Sequence, residues 1–143
     1  RKGVKLEDGF SEIRMGDEVC LVSTGYMTHK AVNAAETLAE SGVDIGVIEV
    51  FLIKPLNEKK LLKALSEYRY IITLEEDFIN KGGLDSLVSE IIEIKSMKIK
   101  LTLMGFKDTY LFNIGKREYL HKLSGLSQED IIKNIKRMLK EGK

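Results

Sequence analysis

Apolar residues follow two patterns along this chain: short, nearly unbroken runs, and longer stretches in which they recur every three or four positions. Short runs rich in β-branched and aromatic residues are typical of strands, whereas the wider spacing is typical of one face of a helix. The first and last runs alternate with polar residues, which favours positions at the sides of a sheet. We predict five strands, at residues 10–15, 18–22, 43–51, 70–74 and 98–104.

The helical spacing occurs between these runs and after the last of them. On the first helix, Met27 and Ala31 belong to the apolar stripe, and we expect His29 and Lys30 to face away from it. Asn57 stands where a helix cap is needed, and Ser127 has an acid three residues later, close to a capping box. We predict helices over residues 27–41, 56–68, 84–92, 116–123 and 127–139.

Strands that alternate with helices imply an α/β fold, in which a mostly parallel sheet is covered on both faces through right-handed crossovers. Residues 1–9 show no clear period and are interpreted as a lead-in or linker, so the domain itself covers residues 10–143. The pattern lapses again over residues 106–115, which we interpret as a loop. Its expected anchors are Tyr110, Leu111 and Phe112.

Polar residues and glycines follow three of the predicted strands, and the carboxyl ends of parallel strands meet at one edge of a sheet. Ligands of open α/β sheets bind at that edge, so any chemistry is to be sought there. Two helices also open at this edge, and a helix N-terminus can hold an anion. The candidate residues for an effector site, an anion site or an interface are Ser23, Thr24, Gly25, Glu49, Glu75, Glu76, Gly82, Gly83 and Leu84.

The carboxylates at this edge are consecutive in sequence, which limits what they can do together. In an extended chain Glu75 and Glu76 point to opposite faces, so their spacing argues against a cooperating acid–base pair. They would repel an anion if they pointed at it. Alternatively they fix the loop by accepting N–H bonds, meet a cation from a neighbouring domain, or are simply solvated. We predict that the edge serves assembly or an effector rather than a reaction.

Other kinds of active site find little support in the sequence. Cys20, His29 and His121 are far apart and form no metal-ligand motif. The chain contains no Gly-x-Ser-x-Gly elbow, no Walker A motif and no Gly-x-Gly-x-x-Gly fingerprint. We therefore predict no catalytic residue and no metal ligand in this chain.

Charge and composition exclude several classes of partner. With 23 basic and 22 acidic residues among 143, bulk charge indicates no nucleic-acid partner. The longest apolar segment, residues 45–53, contains a glutamate and is too short to cross a membrane. A single cysteine and the lack of a signal peptide at the start suit a reducing, cytoplasmic location.

Several motifs, in the same order, resemble the C-terminal domain of transketolases. The stretch GDEVCLVSTG followed by AVNAAETL resembles the start of that domain, and the resemblance covers nearly the whole chain. The tail, with Gly125-Leu126, is similar to the end of 1-deoxyxylulose-5-phosphate synthases and of small split transketolases. Further matching stretches are Val47-Ile48, Ile53 to Leu56, Thr73 to Glu76 and Gly82 to Leu84.

The resemblance implies a three-layer α/β/α domain with about five strands, the first antiparallel. The family consists of thiamine-diphosphate enzymes: transketolases, deoxyxylulose-phosphate synthases and the β subunits of 2-oxoacid dehydrogenases. In these enzymes the cofactor and Mg²⁺ lie between a pyrimidine-binding and a pyrophosphate-binding domain, across a homodimer interface. This chain resembles neither of those domains, so it is expected to bind no cofactor itself. Some members have His where this chain has Asp77, so a role for that His does not carry over.

The resemblance therefore implies a non-catalytic C-terminal domain of a transketolase-like enzyme, with a role in assembly or regulation. It leaves the three parent classes open. The alternative is a free-standing module that binds a small anion or a partner subunit at the strand-end edge. A receiver-like signalling domain is less well supported, because the phosphoacceptor Asp that it needs after Val22 is missing.

Overall fold

The computed structural model describes residues 6–94 and 98–141. Within these residues the chain forms five strands and five α-helices, which alternate along most of the chain. The strands are β1 (Phe10–Arg14), β2 (Val19–Ser23), β3 (Ile45–Val50), β4 (Tyr70–Phe78) and β5 (Lys100–Phe106). The helices are α1 (Tyr26–Ala39), α2 (Glu58–Leu65), α3 (Leu84–Ile94), α4 (Arg117–Leu123) and α5 (Gln128–Glu141).

The strands form one mixed sheet in the order β1-β3-β2-β4-β5. β1 pairs with β3 in the antiparallel sense, and every other pair is parallel. Ser23, the last residue of β2, lies opposite Glu49 of β3 on one side and Leu74 of β4 on the other. The register therefore brings the carboxyl ends of the three central strands into line, as the sequence predicts.

Helices cover both faces of the sheet, which confirms the predicted three-layer α/β/α fold. On one face, α1 and α5 pack over alternate residues of the strands, because successive side chains of a strand point to opposite faces. On the other face, α2 and α3 pack over the intervening residues. The buried residues at the centre of the first layer include Leu21, Ala34, Val47, Ile72 and Ile135; those of the second include Val22, Ile48, Leu61, Ile71 and Val88.

The helix caps are formed by the residues that the sequence singles out. The Asn57 side chain accepts a hydrogen bond from the Lys60 N–H at the start of α2. At the start of α5, the Ser127 N–H donates to Asp130 and the Asp130 N–H donates to the Ser127 hydroxyl, so the capping box is present. After α1, the chain turns at Gly42, whose φ of +76° suits a residue without a Cβ.

β4 is longer than predicted, and this changes the place of the three acidic residues. The sequence predicts that the strand ends at Leu74, but the strand continues to Phe78, which pairs with Phe106 of β5. The Ile79 N–H also donates to the Phe106 carbonyl. Because the ladder resumes after an irregularity, residues 75–77 lie within the strand rather than in the loop after it. β5 is likewise displaced from the predicted residues 98–104 to Lys100–Phe106.

The loop between β5 and α4 differs from expectation in its burial. Tyr110 and Phe112 are 91% and 89% exposed, and Leu111 is 44% exposed, so these residues do not anchor the loop to the domain. Apolar character alone suggested burial, but neither layer of helices covers this stretch.

Part of the lead-in packs against the domain. Residues 6–8 form a 3-10 helix, and the Gly9 carbonyl accepts the N–H groups of Phe51 and Leu52. Residues 1–5 lie outside the described part of the chain. No helix in the described ranges is both long enough and apolar enough to cross a membrane.

Candidate functional site

The ends of the central strands border a cleft of about 280 Å³. Six of the nine residues singled out in the sequence line it: Thr24, Gly25, Glu75, Glu76, Gly83 and Leu84. Ser23 is buried beneath the cleft, and Glu49 lies within β3, nearly buried, in register with Ser11 and Ser23. The remaining walls are formed by Tyr26, Val50, Ile53 and Asp77.

Glu75 bonds to the first turn of α3. Its carboxylate is buried and accepts the Leu84 N–H at 2.8 Å and the Asp85 N–H at 2.9 Å. These are two of the N–H groups that a helix leaves unpaired at its start. The anion at this helix start is therefore the protein's own carboxylate, as expected if the acids fix the loop.

Burial affects the protonation of this carboxylate. Desolvation raises the pKa of Glu75, and the buried Asp85 beside it raises that pKa further. The two N–H bonds favour the charged form and lower the pKa, but they offset the effect of desolvation only in part. Asp85 is itself bonded, because it accepts the N–H groups of Asn80 and Ser86.

Gly83 makes the approach of Glu75 possible. A Cβ at this position would lie 2.3 Å from the Glu75 Oε2 atom, well inside van der Waals contact. A glycine here therefore lets the carboxylate reach the helix start. The preceding Gly82 has a different role, since its φ of +89° makes the turn and a Cβ there would meet nothing within 4 Å.

Glu76 points to the opposite face of the sheet and bonds to α4. Its Oε1 atom lies 2.8 Å from Nε2 of His121 and 3.0 Å from Nε of Arg117. The two neighbouring glutamates thus contact different helices on opposite faces of the sheet, as the alternation of side chains along a strand predicts.

His121 also contacts Lys30, and the two residues are buried together. Lys30 is 6% exposed, and its Nζ lies 2.7 Å from Nδ1 of His121. An ammonium group has donors only, so Nδ1 accepts this bond and Nε2 carries the proton that it donates to Glu76. The Lys30 ammonium further contacts Glu118 at 2.9 Å and the Leu126 carbonyl at 3.2 Å. We call the two buried residues, Lys30 and His121, together with the partly exposed acceptor Glu76, the buried relay.

The outer side of the buried relay is closed by an aromatic contact. The Tyr26 hydroxyl donates to Glu118 at 2.9 Å, and the Arg117 guanidinium lies 4.3 Å from the centre of the Tyr26 ring. The bond to Glu118 raises the pKa of Tyr26, while Lys30 and Tyr26 together lower the pKa of Glu118. α4 is thus held by polar contacts to both α1 and β4.

The start of α1 is organised by small residues. The buried Ser23 hydroxyl donates to the Thr28 hydroxyl at 3.1 Å, and the Thr24 N–H donates to the Leu74 carbonyl. Gly25 occupies the cap position with a φ of +56° and provides no side-chain cap. Residues at this helix start, Thr24 to Tyr26, line the same cleft as the three acidic residues of β4.

The sequence patterns did not indicate the buried relay, and the prediction that Lys30 faces away from the apolar stripe is wrong. A signal for Lys30 was present, because it lies three residues after Met27 and four before Ala34, on the same face as the apolar stripe. Lysine is rarely buried, so that position was assigned to solvent. His29 is exposed, as predicted. His121 is brought near Glu76 by tertiary structure alone, 45 residues away in sequence.

The site as a whole holds elements of the fold together. Glu75 and Glu76 each contact a helix of the same chain, and no group of three or more His, Cys, Asp or Glu side chains in the described residues is placed to hold a metal ion. Cys20 is buried, and desolvation raises the pKa of its thiol far above the usual range, so the reactive thiolate is suppressed.

Comparison with known proteins identifies the domain type. The model of the family "Transketolase, C-terminal domain" matches residues 10–131. A 1-deoxy-D-xylulose-5-phosphate synthase of Clostridium tetani is 35% identical over 122 residues, which is 85% of this chain and 19% of that protein. An apulose-4-phosphate transketolase subunit of Actinobacillus succinogenes is 33% identical over 120 residues, 84% of this chain and 38% of that protein.

Solved structures agree with the architecture. A split-gene transketolase, described as an inactive β4 tetramer, superposes with a TM-score of 0.82 at 25% identity, over 96% of this chain and 44% of that chain. A transketolase from Campylobacter jejuni superposes with a TM-score of 0.67 over 92% of this chain and 19% of that one. At 14% identity it supports the fold alone.

The chain spans about a fifth of the length of the deoxyxylulose-phosphate synthase and about two fifths of the transketolase subunit. The family match covers residues 10–131, and these residues contain the whole sheet, including its antiparallel first strand. The chain belongs to the transketolase C-terminal domain family.

Proposed function

We propose that this chain is the non-catalytic C-terminal domain of a thiamine-diphosphate-dependent, transketolase-like enzyme that transfers ketol or aldehyde units between sugar phosphates. Its own role is assembly. The observation that carries this proposal is that Glu75 and Glu76, at the edge where chemistry would be sought, bond to the chain's own helices. Groups already paired in this way position elements of the fold rather than a substrate.

The proposal assigns the cofactor to other parts of the enzyme. Thiamine diphosphate and Mg²⁺ would bind to pyrimidine-binding and pyrophosphate-binding domains, in the same polypeptide or in a separate subunit, and the enzyme would act as a cytoplasmic homodimer. The residues that line the cleft do not fit the cofactor. A pyrophosphate in the cleft would lie beside Glu75, Glu76 and Asp77, and like charges at such short distances repel strongly.

Calorimetric titration of the 143-residue chain with thiamine diphosphate and Mg²⁺ tests this assignment. We expect no heat beyond that of dilution. Binding with a micromolar dissociation constant would contradict it, because the cofactor would then have a site on this domain.

A regulatory anion site is the second candidate function, in the enzyme or in a free-standing module. It is favoured by the cleft beside α1, whose first turn has no side-chain cap. The acidic walls of the same cleft oppose it. Titration with inorganic phosphate in the same calorimeter separates the two: saturable heat that weakens as ionic strength rises would support the regulatory site, whereas assembly alone predicts none.

A further inference from the structure

Large apolar side chains are concentrated in the loop between β5 and α4. In the segment 110–114, which we call the apolar loop, four of five residues are large and hydrophobic. Tyr110, Phe112 and Ile114 are 91%, 89% and 99% exposed. The rings of Tyr110 and Phe112 lie 6.1 Å apart and so present a common aromatic surface. A cluster of this kind marks an interaction site rather than the scattered exposure of an ordinary surface.

The apolar loop lies at the same edge of the sheet as the strand-end cleft. It follows the carboxyl end of β5, where Phe106 pairs with Phe78. Phe78 is itself 43% exposed, and Ile53, after the end of β3, is 57% exposed. Exposed apolar residues thus lie at or after the carboxyl ends of three strands, all at this edge of the sheet.

Both ends of the apolar loop are held in place. Before it, β5 is bonded into the sheet. After it, α4 is fixed by His121 and Arg117 to Glu76 and by Glu118 to Lys30. The contacts of Arg117 and Glu118 with Glu76 and Lys30 of the buried relay therefore position the start of α4, and with it a loop whose side chains remain outside the core. Such an arrangement presents a preorganised surface to a partner.

The chemistry of the loop defines the partner. Residues 109–115 carry no charge, so a matching surface is apolar and uncharged. The matched proteins contain a large remainder beyond this unit, amounting to all but 19% of the deoxyxylulose-phosphate synthase and all but 38% of the transketolase subunit. Interfaces between domains of one enzyme bury roughly 600–1,500 Å², which an edge with several exposed apolar residues can supply.

We propose that the apolar loop is the docking surface for a neighbouring domain of the same enzyme, and that the buried relay positions it. The proposal rests on the proposed function, because it requires that such a domain exists. A second copy of this chain is the competing occupant. It predicts association of the isolated chain with itself, whereas docking of another domain does not.

Backbone amide hydrogen exchange compares the loop in the two contexts. We expect residues 109–116 to exchange at least about tenfold more slowly in the intact enzyme than in the 143-residue chain alone. Equal exchange in both would overturn the proposal. Protection that rises with the concentration of the isolated chain, together with a dimer in sedimentation, would also overturn it in favour of a second copy.

Substitutions then test whether the side chains carry the docking. We expect Tyr110→Ser with Phe112→Ser in the intact enzyme to abolish the protection, since both side chains are exposed and the fold does not depend on them. Met15→Ser is the matched control: this residue is 77% exposed and follows β1 at the opposite edge of the sheet. Retained protection in the double variant, or equal loss in the control, would contradict the assignment.

The two proposals fail in different ways. If the intact wild-type enzyme binds no thiamine diphosphate and transfers no ketol unit, the proposed function is wrong whatever the loop does. If the wild-type enzyme is active and its loop is unprotected, the docking proposal alone is wrong.

Discussion

Glu75 shows how a single residue can serve structure at a place where chemistry is expected. Its predicted position just after a parallel strand is typical of a ligand-binding residue. In the structure its carboxylate instead pairs two N–H groups at the start of α3, and Gly83 leaves the space that this contact needs. The residue type and the glycine are both explained by the contact.

The raised pKa of Glu75 gives a prediction on pH dependence. Because the folded-state pKa lies above the unfolded value, the folded state binds the proton more tightly, and stability falls as pH rises from below about 4.3 through the folded pKa. Glu75→Gln lacks this loss. As pH rises from about 4.3 through the folded pKa, we therefore expect the wild type to lose stability relative to Glu75→Gln. The difference in free energy of unfolding, variant minus wild type, should increase over this range.

Urea denaturation at a series of pH values measures this difference. Glu90→Gln, on the exposed side of α3, is the control for the loss of a carboxylate as such. A difference between Glu75→Gln and wild type that falls as pH rises would contradict the direction assigned to Glu75.

At the scale of the element, α3 is the helix that the sequence describes best. Its apolar spacing, the glycines before it and the acidic strand end that precedes it are all visible in the amino-acid sequence. Leu84, Val88 and Ile91 lie in the core, as the spacing predicts. Periodicity is informative here because the helix packs on one face only.

Truncation of a core side chain tests the placement of α3. Ile91 is 5% exposed, and Ile91→Ala should lower the free energy of unfolding by roughly 2–5 kcal/mol through lost burial and the cavity that remains. Chemical denaturation measures the cost. Glu90→Ala, one residue earlier and exposed, should cost much less. A loss below about 0.5 kcal/mol for Ile91→Ala would mean that the helix is misplaced.

α4 and the loop before it show what sequence patterns do not contain. α4 was predicted within about one residue, but its partners were not, because the contacts of His121 with Lys30 and Glu76 join residues 91 and 45 positions apart. The loop was expected to be anchored because apolar residues are usually buried. That inference requires a covering layer, which this domain does not provide for Tyr110 and Phe112.

At the scale of the whole molecule, the order of strands and helices determined most of the fold. Alternating elements predicted the parallel sheet, and the aligned ends of β2, β3 and β4 followed from it. Sequence could also place Glu75 and Glu76 on opposite faces. It could not show that both are paired within the chain, because those pairs depend on how α3 and α4 pack against the sheet.

The same view of the molecule supports the role in assembly that we propose for the strand-end edge. The polar contacts at this edge fix α3 and α4, and the exposed apolar residues beside them remain available to a partner. At this edge, polar contacts within the chain hold the helices in place, and apolar side chains remain exposed beside them. A role in assembly requires this combination, whereas a reaction would require polar groups free to meet a substrate.

The most direct test of this account measures assembly and turnover together in the intact enzyme carrying Glu76→Ala. The substitution removes the acceptor of His121 and Arg117 and so loosens α4. Glu36→Ala, on the exposed face of α1, is the control.

We expect sedimentation to show weakened assembly of the Glu76→Ala enzyme, by about 5- to 30-fold in the dissociation constant if about 1–2 kcal/mol is lost. Turnover per assembled enzyme, from steady-state kinetics at saturating substrate, should remain within about twofold of wild type because Glu76 is not expected to contact the reacting groups. A Glu76→Ala enzyme that is folded and assembled like the wild type but has lost its turnover would contradict the non-catalytic role of this domain.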